Sequence, residues 1–230
     1  MMKRAIVLLT LNEIEALPKI FDRLPRSCAD DFFVVDGGSS DGTRQYLESR
    51  GVRVVGQPKR GRGQAFRVAF AQTDAEVLVF FSPDGNEDPA DIPRLLAKID
   101  EGCDMAIASR MMRGAFNEED VHWFRPRKWV NQAFTLLANL LWNQGPYITD
   151  TINGFRAVRR SAFEALGCDA DGFVIEYQMS IRAMKRGLKV AEIATRESPR
   201  MGGQSTAKSL PTGIVFLRQL AREFVEDSPS

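Results

Sequence analysis

Cysteine is scarce in this chain: three in 230 residues, Cys28, Cys103 and Cys168, an odd number with no Cys-x-x-Cys pair. That disfavours a disulfide scaffold and a zinc site, and predicts a reducing compartment. Histidine is scarcer, and the single His122 reads as a loop residue rather than a base. An excess of one charge is also missing. The 31 Lys and Arg face 30 Asp and Glu, a net +1, which gives no support to a nucleic-acid partner or an acidic tail. Long hydrophobic runs are absent too. The start, MMKRAIVLLTLNE, lacks a small-residue cleavage site and meets Asn12 and Glu13 too soon for a signal peptide. Ala133–Trp142 carries Thr135 and Asn139 and is about half a membrane span. A cytoplasmic protein is therefore expected. What is present is ordinary for a globular chain: 44% apolar residues, with 18 Gly and 11 Pro. A chain of this length buries roughly 70% of its unfolded surface and needs no staple.

The first hundred residues alternate strand and helix patterns. Strands are predicted at Ala5–Leu9, Asp31–Val35, Val52–Val55, Val77–Phe81 and Met105–Ala108. Helices are predicted at Glu13–Leu24, Thr43–Ser49, Arg62–Ala71 and Ile92–Ile99. This alternation predicts an α/β fold with a mostly parallel central sheet flanked by helices. Residues 110–128 read as a polar, basic loop before a helix over Trp129–Trp142. A strand at Asn153–Val158, a helix at Val174–Lys185 and a strand at Lys189–Ala194 follow. After a loop at Arg196–Leu210, an amphipathic helix over Gly213–Val225 carries Ile214, Leu217, Leu220, Ala221 and Phe224 on one stripe. One domain is expected, with a nucleotide-binding half (1–109), an acceptor and sugar-binding half (110–212) and a C-terminal helix (213–230).

Ligands of open α/β sheets collect at the carboxyl ends of the strands. Those positions hold Thr10, Asn12 and Glu13, then Asp36-Gly37-Gly38-Ser39-Ser40-Asp41-Gly42, then Lys59-Arg60-Gly61-Arg62-Gly63, then Asp84-Gly85-Asn86, then Ser109-Arg110. Neither the dinucleotide glycine fingerprint nor the Walker lysine motif occurs. The alternative is a nucleotide held by base and ribose at strand ends. Asp36 can accept from base or ribose, Ser39 adds a hydroxyl, and the cation cluster can face phosphates. Asp84, ending the most apolar strand with Asn86 two residues on, can present oxygens to Mg²⁺ or Mn²⁺. A diphosphate would complete the shell.

The segments TLNE, VVDGGSSDGT, GRGQA, SPDGNEDP and NGFRA resemble those of the family 2 glycosyltransferases of GT-A fold, over Lys3 to Ser209. The group most resembled is that of the polyprenyl-phosphate hexose transferases. The resemblance implies an inverting transfer from a nucleoside-diphosphate sugar, GDP-mannose or UDP-glucose, with a divalent metal, to a polyprenyl phosphate at a membrane surface. The expected location becomes cytoplasmic with peripheral contact to the inner membrane face, through Trp123, Phe124, Trp129 and the final helix. By the resemblance, Asn12, Glu13, Asp36, Asp41, Arg60, Gly61, Gly63 and Asp84 bind the nucleotide, joining Thr10 and Ser39 from the strand ends. Asp84 and Asn86 hold the metal. Asp84, Asp150, Arg127 and Arg200 are catalytic, and Arg110, Arg125, Arg127, Gly154, Glu176, Arg200 and Ser205 line the acceptor or sugar site. Two positions depart from the pattern: Ser82 stands where the first aspartate of Asp-x-Asp would be, and Thr206 stands for a lysine. A transferase to a sugar or other hydroxyl, with Asp150 as base, is the alternative. A weakly active or non-catalytic nucleotide-sugar-binding protein is another. A pyrophosphorylase would show a Gly-rich signature where TLNE stands. The sequence sets no oligomeric state.

Overall fold

The computed structural model describes residues 2–202 and 209–226. Among them seven strands form one sheet: β1 (Arg4–Thr10), β2 (Asp31–Asp36), β3 (Arg53–Gly56), β4 (Val77–Phe81), β5 (Met105–Ser109), β6 (Arg156–Arg159) and β7 (Val190–Ala194). Their order is β3-β2-β1-β4-β6-β5-β7. All pairs are parallel except those of β6, which runs antiparallel between β4 and β5. The arrangement is the mixed, largely parallel sheet of the GT-A fold.

Among the described residues eight helices cover the sheet: α1 (Leu17–Ile20), α2 (Thr43–Ser49), α3 (Arg62–Ala71), α4 (Asp91–Asp100), α5 (Pro126–Trp142), α6 (Arg160–Leu166), α7 (Ile175–Lys185) and α8 (Ser209–Val225). Every residue of β4 is buried, as expected of a strand covered on both faces. Alternation divides its side chains between two cores. Leu78 and Phe80 join Val7, Phe33 and the helix residues Phe66 and Tyr177 on one face. Val77, Val79 and Phe81 join Ile6, Val34, Leu17 and Leu95 on the other. Phe66 stacks on Phe80 at 3.9 Å between ring centroids. Each fully buried Phe stabilises the fold by about 1.5–3 kcal/mol.

Several expectations require correction. The single helix over Glu13–Leu24 is instead four residues of α1 followed by a 3₁₀ turn at Phe21–Arg23. Pro18 has no N–H and fits only a first turn, so helix cannot extend back to Glu13 through it. The strand expected at Asn153–Val158 is β6, starting at Arg156, and α6 follows directly where no helix is predicted. The loop at 110–128 contains a 3₁₀ turn at Glu118–Val121, and α5 begins at Pro126, a proline well suited to a first helical position. The final helix begins at Ser209, not Gly213. It buries Phe216, Gln219 and Glu223 while the Ile214, Leu217 and Phe224 side of the predicted stripe faces outward. Among the described residues, no helix is long and apolar enough to cross a membrane.

Candidate active site

Strand β1 is the sheet's switch point, because β2 and β3 lie to one side and β4 to the other. Crevices that bind ligands open at such points, beyond the carboxyl ends of the strands. Two cavities lie there. One, of about 300 Å³, is lined by Thr10, Leu11, Glu13, Gly37, Gln57 and Arg60. The other, of about 340 Å³, is lined by Asn86, Glu87, Arg110, Arg127, Gly154, Glu176 and Glu197. Arg62, Ser82, Asp84, Phe173 and Arg200 line both, so the cavities share a wall at the end of β4.

At that junction Asp84 is only 2% exposed. Its Oδ2 lies 2.8 Å from Nη2 of Arg200, and its Oδ1 accepts from the backbone N–H of Asn86 at 3.2 Å. Burial pushes its carboxyl above the usual range, opposed by Arg200. Burial and the neighbouring Asp84 also push Glu13 up to about 7 and Glu87 up to about 8. Burial disfavours the charged form of all three carboxyls, and a divalent cation among them would favour it. Asn86 Oδ1 and Glu13 Oε2 are buried without a hydrogen-bond partner, a further fit to an oxygen-seeking ion. No group of three or more His, Cys, Asp or Glu side chains is placed to hold a metal among the described residues. Asp84 and Asn86 would therefore share the ion with ligand phosphates.

The expected nucleotide residues separate into wall and frame. Thr10, Glu13, Arg60, Gly61 and Asp84 are on the wall of the first cavity. Asn12, Asp36, Ser39 and Asp41 are not, and their polar groups bond one another or neighbouring residues of the same loops. Asp36 accepts from Thr10 Oγ1 (3.0 Å), Ser39 Oγ (2.5 Å) and the backbone N–H groups of Gly38 and Ser39. Asn12, at φ 62°, gives its N–H to Ser39 Oγ and accepts from Ser40 N–H. Asp41 accepts from the hydroxyl and N–H of Thr43 and the N–H of Ile14. These bonds outweigh burial and hold its carboxyl below the usual range. Their observed role is to brace the β1 and β2 loops. Gly61 and Gly63 are likewise explained by protein rather than ligand. A Cβ on either would collide with the carbonyl of Asp171 or Ala170, and Gly63 N–H donates to Asp171 O at 2.9 Å.

The second half needs sharper correction. Asp150, expected to be catalytic and to act as base in the hydroxyl-acceptor alternative, is 1% exposed and absent from either wall. Its carboxylate accepts from Arg110 Nε (2.8 Å), Nη2 (3.1 Å) and N–H (3.1 Å), and from Asn153 N–H (3.1 Å). Although burial opposes it, Arg110 holds Asp150 below the usual carboxylate range. A carboxylate with its lone pairs so committed cannot receive a substrate proton. It positions Arg110, whose Nη1 also reaches Glu197 at 3.3 Å. Arg125 is also off the wall, bonded to Asp120 Oδ1 at 2.9 Å and to the carbonyl of His122 at 2.6 Å. Arg127 remains on it, 53% exposed and 3.0 Å from Glu118. Gly154 and Glu176 are on the wall, with Glu176 paired to Arg62. Arg156, which completes NGFRA, is fully buried and serves carbonyls of Asn153 and Glu176. Ser205 and Thr206 lie outside the described residues.

Arg62, part of the cation cluster expected to face phosphates, lines both cavities, and Gln57, Glu87, Phe173 and Glu197 line them without having been singled out. Glu87 stands within a quoted motif and could have been found there. Gln57, Phe173 and Glu197 carry no local pattern.

Comparison with known proteins fits this geometry. The chain is 31% identical over 219 residues to glycosyltransferase AglJ of Haloferax volcanii, covering 93% of this chain and 69% of that protein. It is 30% identical over 217 residues to the undecaprenyl-phosphate mannosyltransferase of Micrococcus luteus, covering 89% and 87%. Among solved structures it superposes on glucosyl-3-phosphoglycerate synthase of Mycobacterium tuberculosis in complex with Mn²⁺, UDP-glucose and phosphoglyceric acid. The TM-score is 0.78 at 22% identity, covering 99% of this chain and 81% of that one. This finding overturns the narrower expectation of a polyprenyl-phosphate transferase at a membrane surface. A framework shared along nearly the whole chain with a synthase crystallised with phosphoglyceric acid does not single out a lipid acceptor. The profile of glycosyl transferase family 2 matches residues 5–167, and the chain belongs to that family.

Proposed function

We propose that this glycosyltransferase moves a hexosyl group from a nucleoside-diphosphate sugar to a hydroxyl group of a small, negatively charged acceptor. The observation that carries the reading is the pair of cavities sharing a wall at Ser82, Asp84 and Arg200. The first cavity takes the nucleoside, between Thr10, Leu11, Gly37 and Gln57, with Arg60 at its side. The second takes the acceptor, with Arg110 and Arg127 as its cations. The reacting sugar then sits at the shared wall. Residues 1–109 supply most of the donor's contacts and later residues most of the acceptor's.

Asp84 and Asn86 would hold a divalent cation, Mn²⁺ or Mg²⁺, together with the donor's phosphates, and its positive charge would be available to the departing diphosphate. Arg200 adds a guanidinium at the same place, where its planar fork suits phosphate oxygens. Arg110 is held still by Asp150 and Glu197, so its orientation costs little when an anion arrives. Asp150 is committed to Arg110, so the proton released from the acceptor hydroxyl passes to water in the open cavity. The synthase complex with Mn²⁺, UDP-glucose and phosphoglyceric acid supports this choice of donor, metal and acceptor class.

The test is a panel of sugar nucleotides, with release of UDP or GDP followed in Mn²⁺ against phosphorylated hydroxy acids and free sugars. Acceptor-dependent release with a phosphorylated hydroxy acid is expected. Release with neutral sugars alone would contradict the anionic acceptor, and no release with any donor would contradict the reading.

A further inference from the structure

Arg62 stands where the two cavities meet, and its surroundings are built around it. Its Nε bonds Glu176 Oε1, and its Nη1 donates to Ser82 Oγ at 3.2 Å. Glu176 is 2% exposed, whereas the Arg62 side chain keeps 20% of its surface open and lines both cavities. Gly154 admits the guanidinium: a Cβ there would collide with Nη2 and come within 2.8 Å of Cζ and of Glu176 Oε1. One glycine, one buried carboxylate and one hydroxyl thus fix the fork on its inner side. They leave N–H groups of Nη1 and Nη2 without a described acceptor.

The hydroxyl is the informative partner, since position 82 is where the Asp-x-Asp pattern has its first carboxylate. A carboxylate at that distance would pair with the guanidinium through a charge-assisted bond, roughly twice as strong as one to a neutral hydroxyl. Serine holds Arg62 in place without neutralising it. We propose that Ser82 keeps Arg62 available to the donor's diphosphate, so that the chain has exchanged a metal-binding carboxylate for a phosphate-binding guanidinium, with Ser82 and Glu176 as positioning residues. The inference rests on the nucleotide-sugar reading above. A diphosphate is the group selected because a planar fork on the wall of both cavities matches paired phosphate oxygens.

The test is calorimetric titration of UDP, GDP, uridine and guanosine into the parent, Arg62→Ala, Arg62→Lys and Ser82→Asp, each in Mn²⁺ and in EDTA. The parent is expected to bind the diphosphates more tightly than the nucleosides even in EDTA. Arg62→Ala should weaken diphosphate binding about ten-fold or more in both conditions and leave nucleoside binding nearly unchanged. A merely structural role would weaken both ligand classes alike. Arg62→Lys, which keeps charge but cannot bridge Ser82 and Glu176 as a fork, should recover part of the loss and stands in if the alanine variant fails to fold. Ser82→Asp should tighten Mn²⁺ binding to the nucleotide-free protein yet weaken diphosphate binding in EDTA. Parent-like diphosphate affinity in both Arg62 variants, no preference for diphosphate over nucleoside in EDTA, or a gain in EDTA from Ser82→Asp overturns the inference alone. A parent that binds neither UDP nor GDP even in Mn²⁺ overturns the nucleotide-sugar reading with it.

Discussion

Arg200 places its Nη2 2.8 Å from Asp84 Oδ2, so the carboxylate proposed to hold a metal is capped by a cation. The backbone ties the two segments as well, with Met201 N–H donating to Asp84 O at 3.0 Å. A divalent ion must compete with that guanidinium for Asp84. A donor diphosphate supplies both a new partner for Arg200 and further oxygens for the ion, so metal and nucleotide should bind cooperatively.

Arg200→Ala should therefore tighten Mn²⁺ binding to the nucleotide-free protein while weakening UDP or GDP binding. Metal titration followed by electron paramagnetic resonance, with and without nucleotide, measures both. Weaker apo metal binding in the variant would contradict the capping argument.

Asp84→Ala should abolish the gain in nucleotide affinity that Mn²⁺ provides. Calorimetry of UDP and GDP with and without metal is the measurement. An undiminished Mn²⁺ effect would move the metal site elsewhere.

Asp150→Asn should act on stability and on Arg110, not on proton transfer. Removing one partner of a buried ion pair costs about 3 kcal/mol or more, read from urea unfolding. The pH dependence has a defined sign. Asp150 has a lowered pKa in the folded state, so its contribution is present above the unfolded value of about 3.9 and is lost as pH falls through the lower folded value. The variant should lack that acid-dependent component, and an unchanged acid unfolding curve would refute the assignment. In turnover, a raised KM for an anionic acceptor is expected through the loosened Arg110.

Gly63→Ala should destabilise by overpacking. Its Cβ would meet the carbonyl of Ala170 inside a tight contact between α3 and the 170–171 segment. A cost of about 1–3 kcal/mol is expected, with a lower melting temperature. A variant as stable as the parent would show that the segment shifts freely.

Cys168 should be the last thiol to react. It is 7% exposed, and burial pushes it up to about 12, so almost no thiolate is available at pH 8. Cys28 and Cys103 are half-buried. Mass spectrometry after brief alkylation should find Cys168 unmodified until the protein unfolds.

The strands in the first half and the chemistry at their ends were legible in sequence, because both depend on near neighbours. An apolar run such as Val77–Phe81 can be satisfied only by burial on both faces. The rule that ligands gather beyond strand ends then points to Thr10, Glu13, Arg60 and Asp84 without any tertiary contact being known. The same rule points to Asn86 and Arg110, and family motifs added Arg127 and Arg200; the fold brings all four onto the same two walls. Tertiary structure decided what depends on distant partners. Strand β6 enters antiparallel beside β4, with Val77 opposite Arg159, a pairing across about eighty residues that a short, arginine-flanked strand does not announce. Asp150 reads the same in sequence whether it faces a substrate or Arg110, and only the packing of Arg110 against it settles which. Gly61 and Gly63 suit a phosphate loop equally well, yet their space is taken by Asp171 and Ala170. A side chain's chemistry is local, but which of its lone pairs and N–H groups stay free is set by whatever residues the fold presses against it.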